Sequence, residues 1–184
     1  MEALDALLNR VSVPRLTEPA PNAAQREGLF QAALRAPDHG QLRPWRFITV
    51  EGEGRNRLGE LFAEVVAQKG DADQAALDKA RAMPLRAPLL VLVIARTREH
   101  FKVPVSEQVL AAGCAAHGIL LAAHAQGIGA VWRTGEMAYS AHVAKGLGLE
   151  AGEELIGFLY LGTPIGEPRT APVLNTEDFV SAWG

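Results

Sequence analysis

Pro88-Leu89-Leu90-Val91-Leu92-Val93-Ile94-Ala95 is an unbroken apolar run of strand length. A strand with one wet face alternates, so a run without polar residues predicts a central strand covered on both faces. Upstream, Trp45-Arg46-Phe47-Ile48-Thr49-Val50 alternates large and polar residues and predicts a half-covered strand. Between the two, Leu58, Leu61, Phe62, Val65 and Val66 lie on one helical face over Arg57 to Lys69, with Gly70 as the stop. The polar run Asp71 to Arg81 reads as a weaker helix within an excursion from the body. Downstream, Val105 to Gln126 predicts a long apolar helix rich in small residues, which allow another helix to approach closely, within the subunit or across a dimer. Gly127 and Gly129 end it and lead into Ala130-Val131-Trp132-Arg133-Thr134-Gly135. A helix over 140–146 and a strand over 155–162 follow, then a polar, Pro-rich tail. At the start, helices over 2–9 and 25–36 flank the connection Glu18-Pro19-Ala20-Pro21, and Pro37 stops the second. The order mixes helices and strands without βαβ alternation. It predicts an α+β fold, a central mixed but mostly antiparallel sheet covered by helices.

At 184 residues, with no internal repeat or linker, the chain predicts a single domain over 1–184. An apolar fraction of 48% with 21% charged residues excludes intrinsic disorder. Eighteen basic against 21 acidic side chains give a net charge of -3, which argues against a generic nucleic-acid binder. Cys114, the single cysteine, forms no internal disulfide and no multi-cysteine zinc site, and points to a reducing, cytoplasmic setting. The acidic start Met1-Glu2-Ala3-Leu4-Asp5 lacks the pattern of a signal peptide. Val105 to Gln126 carries Ser106, Glu107, Gln108, His117 and His124, which predicts a buried helix rather than a membrane span.

Most site chemistries find no support. Glu51-Gly52-Glu53-Gly54-Arg55-Asn56-Arg57 lacks the third glycine of a dinucleotide fingerprint, and its acids repel a pyrophosphate. No serine sits in a nucleophile elbow. Cys114 among alanines predicts a desolvated core filler, and with His117 and His124 but no nearby carboxylates it predicts no metal site. What remains are dispersed cations, Arg10, Arg15, Arg35, His39, Arg43, Arg46, Arg133 and Arg169. Several converging on one pocket would suit a phosphate monoester, because a guanidinium fork pairs bidentately with phosphate oxygens.

Four segments, in order, resemble one family. Arg35-Ala36-Pro37-Asp38-His39-Gly40-Gln41-Leu42-Arg43-Pro44-Trp45-Arg46-Phe47 resembles the A-P-S-x-x-N-x-Q-P-W-x-F signature of the FMN-dependent nitroreductases. Arg10-Val11-Ser12 is similar to their Arg-Arg-Ser start, Gly127 to Gly135 to their G-x-G-x-x-W loop, and Gly157 to Pro164 to their late G-x-x-x-x-G-x-P strand. The wording Arg-Ala-Pro-Asp-His narrows the resemblance to the small bacterial YdjA-like subgroup. The resemblance implies a nitroreductase-like fold and a homodimer with FMN sites at the subunit interface, where NADH or NADPH is the electron donor. It implies an oxidoreductase that passes hydride, by ping-pong, to nitroaromatics, quinones or similar electron-poor acceptors. The resemblance further implies that the flavin carries the chemistry and that no protein side chain is catalytic. Arg10, Val11 and Ser12 would meet the phosphate and ribityl end or the pyrimidine edge. Arg35, His39 and Gln41 would come from the other subunit, Val131, Trp132 and Arg133 would lie along the isoalloxazine, and Arg169 would meet the phosphate. Leu121 to Gln126 reads equally as nicotinamide contact or core helix. Val11 stands where the family has its second Arg, and Gln41 where it has Asn. The alternatives are a flavin-binding or redox-sensing module with incidental turnover, or a dehydrogenating or dehalogenating branch of the fold. Such branches carry extra lids, for which only residues 68–88 leave room.

Overall fold

A computed structural model describes residues 1–167 and 169–184. Its sheet has five strands: β1 (Leu16–Thr17), β2 (Trp45–Glu51), β3 (Leu89–Arg96), β4 (Gly129–Arg133) and β5 (Glu153–Pro164). β5 is the hub, pairing with β3, with β4 and, at its end, with β1, while β2 pairs with β3. Every pairing among the described residues is antiparallel, so the mixed sheet expected from sequence is antiparallel throughout. The helices are α1 (Ala3–Asn9), α2 (Ala23–Ala33), α3 (Glu53–Ala67), α4 (Gln74–Ala82), α5 (Val105–Ala125), α6 (Glu136–Tyr139) and α7 (Ala141–Gly146).

The apolar run of β3 divides by parity, as a strand with two covered faces must. Leu90, Leu92 and Ile94 pack with Phe62 of α3, Phe158 of β5 and Val143 of α7. Leu89, Val91, Val93 and Ala95 pack with Leu29 of α2 and Ile119 of α5 on the opposite face. α2 starts two residues before the expected Gln25, because Asn22 caps it and forms a reciprocal capping box with Gln25, and it ends at Ala33 rather than at Ala36.

The small residues of α5 serve contact within the subunit. A side chain at Gly118 would meet the carbonyl oxygen of Ala32 at 3.0 Å, so α2 lies almost against the α5 backbone. The other side of α5 is open: Glu107, Leu110, Cys114 and His117, spaced three and four residues apart, are all exposed. Cys114 is therefore not a core filler in the isolated subunit, because it occupies the outward stripe of a helix that turns Ala112, Ala115, Ala116 and Ile119 inward. α5 is long and apolar enough to cross a membrane by length and composition alone, yet that inward face is buried on the sheet.

Residues 74–82 are not a detached excursion. Gly59 of α3 has no side chain where the Arg81 carbonyl approaches, and Ala80 is buried in the core between α3 and the sheet. The room for a lid is thereby taken by a packed helix.

Candidate functional site

β4 forms an edge of the sheet beside β5, and the segment after α1 runs along it. Val13 donates its backbone N–H to the carbonyl of Ala130 at 2.8 Å, which brings Arg10, Val11 and Ser12 to the strand carrying Val131, Trp132 and Arg133. Close approach here needs glycine: a side chain at Gly129 would collide with Leu16 and Pro164. Val131 is buried toward the α3 face, while the half-buried Trp132 indole donates to the Ile156 carbonyl at 3.3 Å. The Arg133 guanidinium lies 5.6 Å from the centre of the Tyr160 ring, and its Nε is buried with no hydrogen-bond partner. A buried, charged donor left unpaired is costly, so this atom fits an acceptor supplied from outside the chain.

After Arg133, Gly135 takes a left-handed turn (φ 65°) into α6, and beside this turn opens a cavity of about 430 Å³. Trp132, Arg133, Thr134 and Gly135 form one wall of it, Phe62, Met83, Met137 and Phe158 its apolar lining, and Arg86 and Tyr160 its remaining polar groups. Burial pushes the Tyr160 phenol up from its ordinary pKa, opposed by the charges of Arg133 and Arg86. The motifs did not identify Arg86, Tyr160 or Thr134; the one available signal was the cation of Pro84-Leu85-Arg86-Ala87-Pro88, flanked by prolines at the mouth of the central strand.

Arg35, His39 and Gln41 form a second group elsewhere, at the end of α2 and in the short 3-10 turn His39–Gln41. All three are exposed, and His39 Nδ1 meets Glu107 Oε2 of α5 at 2.7 Å. The turn is strained: Gly40, Gln41 and Arg43 have φ of 73°, 53° and 49°, and Arg43 N–H donates to Asp38 Oδ2 at 2.6 Å. Left-handed backbone at non-glycine residues is rare and concentrates where a loop is held for binding. Arg35 and Gln41 line a shallow cavity of about 290 Å³ with Asp38, Arg43 and Trp45. Arg169 is exposed in the tail. The ten predicted residues thus fall into the β4 edge, the α2 end and the tail. Of the other cations, Arg46 is committed to Glu153 by two hydrogen bonds of 2.7 and 2.6 Å. Among the described residues no cluster of His, Cys, Asp and Glu is suited to a metal ion.

An antiparallel sheet with α2 and α5 on one face and α3, α4 and α7 on the other makes an α+β fold with helices on both faces of its sheet and a cavity at the β4 edge. The sequence profile of the Nitroreductase family matches residues 7–163, and the chain belongs to that family. It is 44% identical over 178 residues to the Escherichia coli K12 protein named "Putative NAD(P)H nitroreductase YdjA", covering 97% of this chain and 96% of the relative. In fold it matches a nitroreductase-like family protein from Bacillus cereus at a TM-score of 0.80 and 23% identity, covering 100% and 96% of the two chains. It matches a nitroreductase with bound FMN from Desulfitobacterium hafniense at 0.70 and 17% identity, covering 98% and 97%.

Proposed function

We propose that the chain is an FMN-dependent NAD(P)H oxidoreductase, active as a homodimer, that reduces nitroaromatics, quinones or similar electron-poor acceptors by a ping-pong exchange at one open face. The observation carrying this reading is the buried, unpaired Arg133 Nε beside the β4 edge where Arg10 and Ser12 also arrive. Bound FMN supplies the hydride-accepting and hydride-donating ring, which accounts for a site without a nucleophile or a paired acid and base. Arg10, Ser12 and Arg169 supply donors for the phosphate and ribityl chain. Val131, Trp132 and Arg133 form the wall along the ring, and Arg133 supplies a positive charge beside it. Names of relatives, with NAD(P)H in one and FMN in another, support the cofactor assignment. A cytoplasmic setting belongs to the same reading. An anaerobic visible spectrum tests it: reconstituted protein should keep a flavin band through desalting and lose it on addition of NADH or NADPH. Protein that keeps no flavin would overturn the reading.

The two-subunit site has its own support. Leu4, Leu7 and Leu8 of α1, Leu110 of α5, and Val173, Leu174, Phe179, Val180 and Trp183 of the tail are all exposed, with Trp183 wholly so. Exposed apolar side chains in this number support a subunit interface. A second subunit on it would bring a partner's copy of the Arg35, His39 and Gln41 group toward the β4 edge. Leu110→Glu should therefore yield a monomer by light scattering that has lost FMN, whereas a monomer with full FMN affinity would sink the shared site.

Arg10→Ala should weaken FMN binding about tenfold or more, the effect of a lost charge-assisted hydrogen bond. Thermal unfolding of the flavin-free protein should hardly move, since Arg10 lies at a helix end and makes no ion pair among the described residues. Unchanged flavin affinity by fluorescence titration would remove Arg10 from the site.

A further inference from the structure

We infer that the loop between β3 and α5, residues 97–104, is a subsite for the adenylate end of the electron donor. Phe101 and His100 stack the adenine there, and Arg98, with Arg43 and Arg96, takes the phosphates. The inference rests on the FMN-dependent reductase reading for the identity of the nucleotide. None of these residues lines the cavity at the β4–α6 turn, and none is among those assigned to FMN.

Arg98 lines two cavities. One, of about 530 Å³, is walled by His100, Phe101 and Val105, and the other, of about 220 Å³, by Arg43, Arg96 and Thr97. In the first, Phe101 is 93% exposed and its ring centre lies 4.7 Å from that of His100. His100 Nδ1 accepts the N–H groups of Lys102 and Val103 at 3.2 and 3.1 Å, which fixes the imidazole and leaves its proton on Nε2. The loop is stiff. Gln108 of α5, the one buried polar residue among the described residues, accepts the Arg98 backbone N–H at 3.0 Å and donates to the carbonyls of Arg98 and Val103 at 2.8 and 3.2 Å. An aromatic pair held in solvent by a stiff loop gives a planar ring a surface to stack on at little cost in ordering.

In the second cavity the surplus charge is positive. Among the described residues Arg43 and Arg98 have no carboxylate within ion-pair distance. Arg96 reaches Glu153 at 3.3 Å, but Arg46 holds that carboxylate by two shorter bonds of 2.7 and 2.6 Å. Of the other acids nearby, Asp38 accepts the Arg43 N–H, while Glu99 and Glu150 are exposed to water. Three guanidinium groups left in this state suit phosphate oxygens. A planar ring joined to phosphates is a nucleotide; an aromatic acid would leave most of the guanidinium donors unused, and free phosphate would leave Phe101 bare. The loop also packs on the turn that carries His39 and Gln41, because a side chain at Gly40 would lie 3.3 Å from Val103 and Arg98 Nη2 meets the Leu42 carbonyl at 3.4 Å. In the two-subunit site that turn comes to the partner's β4 edge, so a donor with its nicotinamide on the flavin would lay its adenylate end on this loop.

The probes are ADP and adenosine, which share the ring and differ in the phosphates. By calorimetry on the FMN-loaded protein ADP should bind more tightly, and Arg98→Gln should lower the ADP-to-adenosine affinity ratio about tenfold or more. Phe101→Ala should weaken both ligands about fivefold or more and leave the ratio unmoved. In both variants the KM for NADH or NADPH should rise by a larger factor than kcat falls, the mark of lost ground-state binding. Both side chains are exposed, so neither substitution should unfold the chain. An ADP preference that survives Arg98→Gln overturns the inference, and so does undiminished adenosine binding by Phe101→Ala. Arg98-dependent ADP binding with an unmoved donor KM overturns it too, since the site would then serve a free nucleotide. Calorimetry on flavin-free protein separates this inference from the reading beneath it. Protein that takes up no FMN but binds ADP through Arg98 fails as a reductase while the nucleotide subsite stands. Protein that keeps FMN and is bleached by the donor, without that dependence, remains a reductase and loses the subsite.

Discussion

Gly157→Ala should destabilise the protein by about 3 kcal/mol or more and abolish flavin retention. Gly157 sits in β5 opposite Val93, at the register shift between Val93 and Ile94, with φ of 155°, a conformation that side-chain-bearing residues rarely adopt. A β-carbon there would be built into the Trp132 indole nitrogen, with the Arg133 carbonyl only 3.0 Å away. Two costs therefore coincide, backbone strain in β5 and displacement of the indole that donates to Ile156. For a domain of this size the loss corresponds to a melting temperature lower by roughly 6 to 12 °C. The same displacement moves the β4 wall, so FMN should be lost even at temperatures where the variant is folded. Differential scanning calorimetry and a flavin-to-protein absorbance ratio check both parts. A variant as stable as the wild type would show that Trp132 has somewhere else to go, and Gly157 would no longer be the residue that sets the wall.

That dependence of a binding wall on a glycine in the neighbouring strand shows where the sequence is readable. The run from Leu89 to Ala95 announced a two-faced central strand because every residue in it is buried, and nothing polar obscures the signal. The segments around Arg10, Gly127 and Gly157 were legible by their residue types, and the structure brings the first two together through one hydrogen bond between Val13 and Ala130. α5 was harder. In a helix that is apolar nearly all round and turns mostly alanine inward, the two sides differ little in hydropathy, so Cys114 reads as core by composition and is outward by phase. α4 was obscured for a related reason. Its face toward the core is little more than Ala80, and its seat is a gap at Gly59 that no pattern in 71–81 reveals.

Of the cavity beside the β4–α6 turn, only the Trp132 and Arg133 wall was legible, through the resemblance. Arg86 lies in a 3-10 turn with no periodicity to assign its direction, and Tyr160 sits in an apolar strand where an aromatic residue is expected for packing alone. The division of site residues between the β4 edge and the α2 end was legible only through resemblance, since no spacing says that Arg35 and Arg10 belong to different groups.

Glu153 is the second position with a large expected effect, and its partner Arg46 is 107 residues away in sequence. Its side chain is only 6% exposed and accepts both arms of the Arg46 fork, with Arg96 Nε at 3.3 Å and the Glu150 N–H at 3.0 Å. Hydrogen bonding from Arg46 is the largest cause holding its carboxyl pKa down at about 2, against 4.5 in the unfolded chain. A carboxyl depressed on folding adds stability that is fully present above pH 4.5 and is lost as pH falls toward 2. Because Arg46 is 29% exposed, solvent screening limits that contribution to something on the order of 2 kcal/mol. Glu153→Gln should remove this acid dependence, flattening the stability curve between pH 2 and 4.5. Arg46→Ala should cost more at neutral pH than Glu153→Gln, roughly 3 kcal/mol, because it leaves a nearly buried carboxylate with only the longer Arg96 contact and the Glu150 N–H. Urea denaturation at a series of pH values measures both effects. If the wild type and Glu153→Gln lose stability in parallel from pH 4.5 to 2, other carboxylates dominate acid unfolding, and the bridge from β2 to β5 is a positional constraint with little linkage to protons.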